Sequence, residues 1–430
     1  MQAPLLEIAD PEAINHACPL RNRLDSDDRA FHDWYRFVLS FPAHIVRDYL
    51  EGHFALREGQ SVLDPFCGTG TTVVEARLLG YEAYGIEANP MAHFASSLKA
   101  TADASPRELR NWALRIAETA ESKISRARAL RTLDPKAEEL LLADCIGAVP
   151  LHKVLLLREV IEASGDTLLR KYGMLALAKT AVQPASNLHF GPEVGVRGRK
   201  LDAPVVDAWF RNMQQMASDI ETIADEKLLP SHVIGGDARN IGKTIPAGSI
   251  DAVFTSPPYP NEKDYTRTTR LESVLLRLLN DKEELRALKQ GLIRSNTRNV
   301  YKSDDDHTHV EDNDRINAIA TAIENRRIEM GKTSGFEKLY GRVTKLYFGG
   351  MARHLQTIQP LLRPGAHLGY VVGDQASYLQ IHIPTGSILA EIAEGLGYTH
   401  VRTDLFRTRL ATATKQQMRE EVVILRWDGS

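Results

Sequence analysis

The stretch SVLDPFCGTGTTVVEARLLGYEAYGIEANP, from Ser61 to Pro90, constrains the fold more than any other part of the chain. A short apolar run ends in Asp64, and a Gly/Thr-rich loop follows. An apolar-periodic segment from Thr71 to Leu79 then closes at Gly80, and Tyr81 to Ile86 alternates again before stopping at Glu87. The pattern predicts strand, tight turn, helix with Gly80 as its C-terminal cap, and second strand. Two strands around one helix form a parallel unit, since a parallel pair needs a helix-length crossover and that crossover is right-handed.

The rhythm breaks and later resumes. Ser105-Pro106-Arg107-Glu108 is a capping box with Pro at the first helical position, and the next hundred residues or so have helical periodicity with scarce strand signals. Strand signals return in HVIGGDARNI (His232 to Ile241) and in SIDAVFTSPPYP (Ser249 to Pro260), each ending in a polar loop. A charged interruption follows from about Asp281 to Thr333, and Phe336 to Ile358 reads as a helix. Pro364-Gly365 marks a turn before the buried run HLGYVVGD, and the chain finishes with a helix over Gly386 to Gly395 and a strand in EEVVILRW. The expected fold is α/β, a doubly wound, mostly parallel sheet with a large helical insertion between its second and third strands. Residues 1–100 and 230–430 form the sheet domain, 101–229 the helical insertion, and 281–335 a smaller charged insertion or lid. A length of 430 residues suits this division at roughly 100 to 200 residues per domain.

With 43% hydrophobic and 25% charged residues the chain is globular, not disordered or low-complexity. The formal net charge of -3 offers no global excess of Lys and Arg for a nucleic-acid partner, so any such partner requires a locally positive face. Cys18, Cys67 and Cys145 include no CxxC pair, which fits a reducing compartment, and the histidines show no HxxxH or HExxH pairing, so no metal is expected. The N-terminus lacks signal-peptide features and no long apolar run spans a membrane, so a cytoplasmic location is expected.

Ligands of doubly wound sheets bind beyond the carboxyl ends of the strands. Asp64 to Gly70, Glu87, Asp237 and Ser256 to Tyr259 all fall there. Gly68 and Gly70 permit a sharp turn and close backbone approach to a ligand. The loop lacks GKS or GKT, and the third glycine of GxGxxG is missing, so neither a P-loop nor a dinucleotide fingerprint is present. Asp64 at its mouth would repel a pyrophosphate but suits an ammonium or a water, and Glu87 is placed to accept from ribose hydroxyls. In TSPPY, two consecutive prolines fix the backbone and remove two N–H donors, Ser256 adds a hydroxyl and Tyr259 a flat face. That combination suits a planar substrate whose amino group is held by acceptors.

These residues resemble the S-adenosylmethionine-dependent DNA amino-methyltransferases. DPFCGTGTT is similar to their cofactor loop, Glu87 to the acid that binds the cofactor ribose, Asp237 to the residue that meets the adenine amine, and TSPPY to their catalytic motif. FPAHIVRDYL, beginning at Phe41, is similar to the segment that packs over the methionine end. The resemblance implies a Rossmann-like methyltransferase sheet that binds S-adenosylmethionine through Phe41, Asp64, Pro65, Phe66, Gly68, Gly70, Thr71, Glu87, Ala88, Asp237 and Ala238. It further implies catalysis at Ser256, Pro257, Pro258 and Tyr259. The helical insertion lies outside it and becomes the candidate target-recognition region. A leading Ser in the motif is often associated with cytosine N4, and Asp or Asn with adenine N6. Ser256 therefore favours cytosine, with adenine as the alternative, since the motif order here departs from the reversed order common among cytosine-type enzymes.

A base inside a duplex must be flipped out to reach such a pocket. Tyr259 is the expected stacking partner, and Tyr265, Arg267 and Arg270 follow where a loop could close over the base or grip its phosphate. Arg197, Arg199 and Lys200, together with Arg294 and Arg298, are further candidates for DNA contact. A cognate restriction endonuclease is a partner such an enzyme can have; no membrane partner is expected. DPFCGTGT with a later PPY also resembles enzymes that methylate guanine amines in tRNA, a second reading.

Overall fold

The computed structural model describes residues 26–36, 40–191, 193–224, 226, 228–261, 263–410 and 417–429, so Cys18 lies outside the described residues. Nine strands are described among them: β1 (Ser61–Asp64), β2 (Glu82–Glu87), β3 (Leu188–Phe190), β4 (Val194–Val196), β5 (Ser231–Gly235), β6 (Ile250–Thr255), β7 (Leu362–Gly373), β8 (Thr399–Leu410) and β9 (Gln417–Trp427). Seven form one sheet in the order β5-β2-β1-β6-β7-β9-β8. The β1–β2, β2–β5, β1–β6 and β6–β7 pairs are parallel, while β9 runs antiparallel to both β7 and β8.

Successive residues of the central strands serve opposite faces. Val62, Ala252, Phe254, Val371, Val422 and Ile424 pack with Ile45, Val46, Leu50 and Val73 on one side. Leu63, Val253, Leu368, Tyr370, Val372 and Val423 pack with Phe348, Met351 and Leu355 of the Tyr340–Ile358 helix on the other. Both faces are therefore covered, the arrangement that near-continuous apolar runs such as DAVF require.

The helical insertion lies between β2 and β5 and contains the helices Pro106–Arg126, Ala148–Glu162, Thr167–Thr180 and Val205–Thr222. Ser105 caps the first of them, its Oγ accepting from Glu108 N at 3.4 Å. These helices share one apolar core with Phe31, Trp34 and Tyr35 from ahead of β1. The block also carries the short β3–β4 hairpin, which the helical reading of this region missed.

Two further departures concern the last strands. Pro364-Gly365, expected as a turn, lies inside β7. Gly365 takes a φ of 89°, and the register shifts so that Ile250 pairs with Leu362 while Ala252 pairs with His367. The extra residues are absorbed as a bulge. β8, THVRTDLFRTRL, is an edge strand that the sequence reading omitted.

Within the Tyr340–Ile358 helix, Gly349 sits against the backbone of Asp306, and a Cβ there would lie 1.9 Å from the Asp306 carbonyl oxygen. Such overpacking costs about 1–3 kcal/mol or more, outweighing the ~1 kcal/mol that alanine gains as a helix former. Gly349→Ala should thus lower the melting temperature by several degrees in a calorimetric scan. An unchanged or raised value would contradict this packing.

Candidate active site and cofactor cavity

The strand order reverses between β1 and β6, so the loops leaving these neighbours turn apart and open a crevice at their carboxyl ends. Asp64 and Thr255 end the two strands, and Thr255 donates to Asp64 Oδ1 at 2.6 Å. The DPFCGTGTT loop is thereby tied to the TSPPY loop by one buried hydrogen bond. Asp64 also accepts from Phe66 N at 3.1 Å. Its carboxyl is buried, which pushes its pKa up to about 6 against the opposing effect of these hydrogen bonds. It lies beneath the loop and does not line the cavity, so Asp64 positions the loop where the sequence reading had it facing a ligand.

Gly70 begins the Thr71–Leu78 helix with φ at 89°, and a Cβ on it would meet Ser96 Cβ at 3.0 Å. Gly70 therefore lets the loop close onto the Pro90–Thr101 helix but does not line the cavity. Lys99 on that helix donates to the carbonyls of Thr69 (3.1 Å), His32 (3.3 Å) and Tyr35. Cys67 is buried beneath the loop, where burial raises its thiol pKa well above normal, and its Sγ lies 2.9 Å from the place a Cβ on Gly85 would occupy. It packs; it is not poised as a nucleophile.

A cavity of about 760 Å³ runs along the strand ends. Phe41, Pro65, Phe66, Gly68, Thr71, Glu87, Ala88, Asp237 and Ala238 line it together with Ser256, Pro257, Pro258, Tyr259 and Tyr265. Phe41 stands edge-on to Phe254 at 5.9 Å. Glu87 ends β2 with Oε2 accepting from Gly68 N (2.8 Å) and Oε1 from Asn89 N (2.7 Å). Burial, aided by the nearby Asp64 charge and opposed by those N–H groups, raises its pKa to about 7. Each carboxylate oxygen has two acceptor sites, so one on each remains for a hydroxyl. A ribose diol, with two hydroxyl donors, fits that pair of acceptors.

Asp237 is more committed than expected. Its Oδ1 accepts from Arg239 N (2.9 Å) and Nε (3.0 Å), and its Oδ2 from Arg239 Nε (3.1 Å) and Nη2 (2.7 Å). Arg239 in turn pairs with the buried Asp306, which Arg353 also approaches at 3.2 Å. An adenine amine at Asp237 would have to share an oxygen with this clamp.

In TSPPY, Ser256 Oγ donates to Val371 O at 3.1 Å, which fixes the hydroxyl while leaving its lone pairs to accept. Tyr259 N donates to Tyr265 Oη at 3.5 Å, and Asn261 N to Tyr259 O at 2.8 Å. The Tyr259 ring packs over Gly373, where a Cβ would lie 3.3 Å from its Cε2. Burial and the neighbouring Glu420 carboxylate raise the Tyr259 hydroxyl far above its usual pKa, so it stays neutral.

The basic candidates separate. Arg294 is turned inward: it is 4% exposed, paired with Asp304 at 2.8 Å and laid over the Tyr301 ring. Arg270 holds Thr266 O (3.2 Å), Thr266 Oγ1 (2.6 Å) and Leu140 O (3.4 Å). The Lys200 ammonium caps the carbonyls of Pro184 and Ser186, each at 2.6 Å. All three are engaged by groups of the protein itself. Arg197 and Arg199 are exposed. Arg267, Arg270 and Arg298 border a second, smaller cavity of about 300 Å³.

The sequence reading missed several lining residues. Arg36, Lys263, Arg407 and Arg409 bring positive charge to the large cavity, balanced by Glu193 and by Glu420, which pairs with Arg407 and with Arg409 at 3.4 Å. Asn299, 1% exposed, lines it with an Oδ1 that has no partner among the described residues. The Asn296–Asn299 turn carries no motif, and only its fold against Lys263 O (3.0 Å from Asn296 Nδ2) brings it there. The charged interruption thus divides: residues 291–299 border the cavity, whereas the Asp314–Glu329 helix packs Ile316 and Ile323 against the sheet domain's core. Among the described residues no group of three or more His, Cys, Asp or Glu could hold a metal, and no helix is long and apolar enough to cross a membrane.

The family model described as DNA methylase matches residues 26–96, the segment that supplies Phe41, Asp64 to Thr71 and Glu87. A type II methyltransferase of Geobacillus stearothermophilus, M.BsoBI, is 25% identical over 439 residues, covering 93% of this chain and 84% of its own length. These matches support the DNA amino-methyltransferase family that the motifs resemble. M.AvaI of Nostoc sp. is 23% identical over 395 residues, covering 85% of this chain and 78% of its own length. M.HindIII of Haemophilus influenzae is 34% identical over 77 residues, 18% of this chain. The match supports S-adenosylmethionine as the cofactor, and the free acceptor positions on Glu87 suit a ribose diol.

Proposed function

We propose that this DNA amino-methyltransferase methylates the N4 amine of a cytosine flipped out of duplex DNA, as the modification half of a type II restriction system. The observation that carries the base assignment is Ser256, a hydroxyl anchored on Val371 O at the head of TSPPY, in the same cavity as Glu87. The type II relatives support the pairing with a cognate endonuclease.

S-adenosylmethionine supplies a sulfonium-activated methyl group. The protein's task is to make a poor nucleophile attack, because the lone pair of an exocyclic amine is delocalised into the ring. Ser256 Oγ and the Pro257 carbonyl accept the two amino hydrogens, which favours a pyramidal nitrogen and stabilises positive charge growing on it. Tyr259 supplies the stacking face that offsets part of the few kcal/mol needed to extrude the base. Glu87, Asp237 and Phe41 hold the cofactor end, and the Thr255–Asp64 hydrogen bond keeps the two ends in register.

The test is direct. Incubation with methyl-labelled cofactor and duplex DNA, single-stranded DNA or tRNA, followed by digestion, should yield N4-methylcytosine from duplex DNA. Recovery of N6-methyladenine would overturn the base assignment, and label confined to tRNA would overturn the DNA reading.

A further inference from the structure

The β3–β4 hairpin belongs to the helical insertion, yet its turn reaches the catalytic cavity, where Glu193 is a lining residue. Glu193 Oε2 accepts from Arg267 Nη1 at 3.3 Å and stands 3.7 Å from Arg298 Nη1. Lys263, whose ammonium is disfavoured by burial and by Arg409, feels the Glu193 charge only as a smaller opposing effect. The two arginines come from separate places: Arg267 follows TSPPY, and Arg298 lies in the charged interruption. One carboxylate from the insertion therefore gathers two arginines beside the cavity that holds Ser256 and Tyr259.

The pairing is built to be exchanged. Side-chain exposure is 50% for Glu193, 28% for Arg267 and 38% for Arg298, and pairs this long and this open to water hold weakly. A phosphodiester carries the same single negative charge and matches the guanidinium fork better.

We propose that Glu193 stands, in the free protein, where a backbone phosphate beside the flipped nucleotide stands in the DNA complex, and that it surrenders Arg267 and Arg298 to that phosphate. This rests on the DNA reading above. Glu193 then brakes non-specific binding, because every DNA that enters must first displace it. The displaced carboxylate is left beside the duplex and recruits a cation, cancelling about one of the counterions that the arginines release.

Binding of a fluorescein-labelled duplex, followed by anisotropy over a salt series, tests this. Glu193→Gln should bind about three- to tenfold more tightly at low salt, with a slope of log K against log salt steeper by about one. The double variant Arg267→Ala/Arg298→Ala should bind more weakly with a shallower slope, and adding Glu193→Gln to it should change neither value. Unchanged affinity and slope in Glu193→Gln would overturn the proposal. So would the same gain in the arginine-free background, since the effect would then be the loss of a repulsive charge and not the release of these two cations. The wild type is measured alongside: if it neither binds nor methylates duplex DNA, it is the DNA reading that fails, whereas with a wild type that does both, any failure falls on the role of Glu193 alone.

Discussion

Ser256→Ala should lower the single-turnover rate of methyl transfer by about 10²–10³-fold and leave cofactor affinity within about twofold, since Ser256 is proposed to contact the target amine and not the cofactor. The size follows from what is removed. Ser256 Oγ is held by Val371 O, so its lone pairs are fixed in space before the amine arrives, and no reorganisation is spent at the moment of reaction. A preorganised acceptor of this kind acts on charge that develops only in the transition state, so the loss should fall on the rate and not on binding. Cofactor titration of the variant, with a melting curve to show that it folds, separates the two. Full activity in Ser256→Ala would refute the mechanism.

Glu87→Ala should weaken S-adenosylmethionine binding by about 10²–10⁴-fold. Two hydroxyl hydrogen bonds to a charged acceptor are removed at about 1.5–3 kcal/mol each, with 1.4 kcal/mol per factor of ten. The same carboxylate gives a pH signature. Burial lifts its pKa to about 7, and the ionised form is the one that accepts from both hydroxyls. Cofactor affinity is therefore full above that value and lost as the pH falls through it, about tenfold weaker at pH 6 than at pH 8. The sign is opposite for the fold alone: a carboxyl whose pKa is raised by folding stabilises the folded state most below its unfolded value, and that contribution is lost as pH rises through 7. Calorimetric titrations at several pH values should show the affinity trend in the wild type and a flat, weak response in Glu87→Gln. A flat response in the wild type would remove Glu87 from the ribose site.

The parts of this site that lie within one strand-and-loop unit were legible in the sequence. DPFCGTGTT, Glu87 and TSPPY each end a strand, and a doubly wound sheet brings strand ends together whatever lies between them. What escaped was tertiary. Arg294 looked like a surface cation because its partner Asp304 is ten residues away, and only packing shows the pair to be buried. Asp237 looked free because the bidentate hold of Arg239 depends on side-chain conformation. β8 was omitted because its faces are exposed or half-exposed, so THVRTDLFRTRL carries no clean alternation of apolar and polar residues. Glu193 had no signal at all: nothing in a glutamate after Gly191 reports that a hairpin will lay it over a catalytic cavity.

The residues just ahead of the first strand have a consequence for exchanging parts between such enzymes. Trp34 Nε1 and Phe31 N both donate to Asp219 in the Val205–Thr222 helix, Lys179 holds the Asp33 carbonyl, and His32 bonds Glu75 in the Thr71–Leu78 helix at 2.7 Å. The helical block is therefore not a cassette bounded by its entry and exit points in the sheet. A chimaera that swapped only the residues between β2 and β5 would leave this leading segment facing a foreign surface. Its Lys99 attachment would then transmit the misfit straight to the Thr69 carbonyl of the cofactor loop. A graft of the helical block therefore has to move as two pieces of chain, one from each side of the first strand.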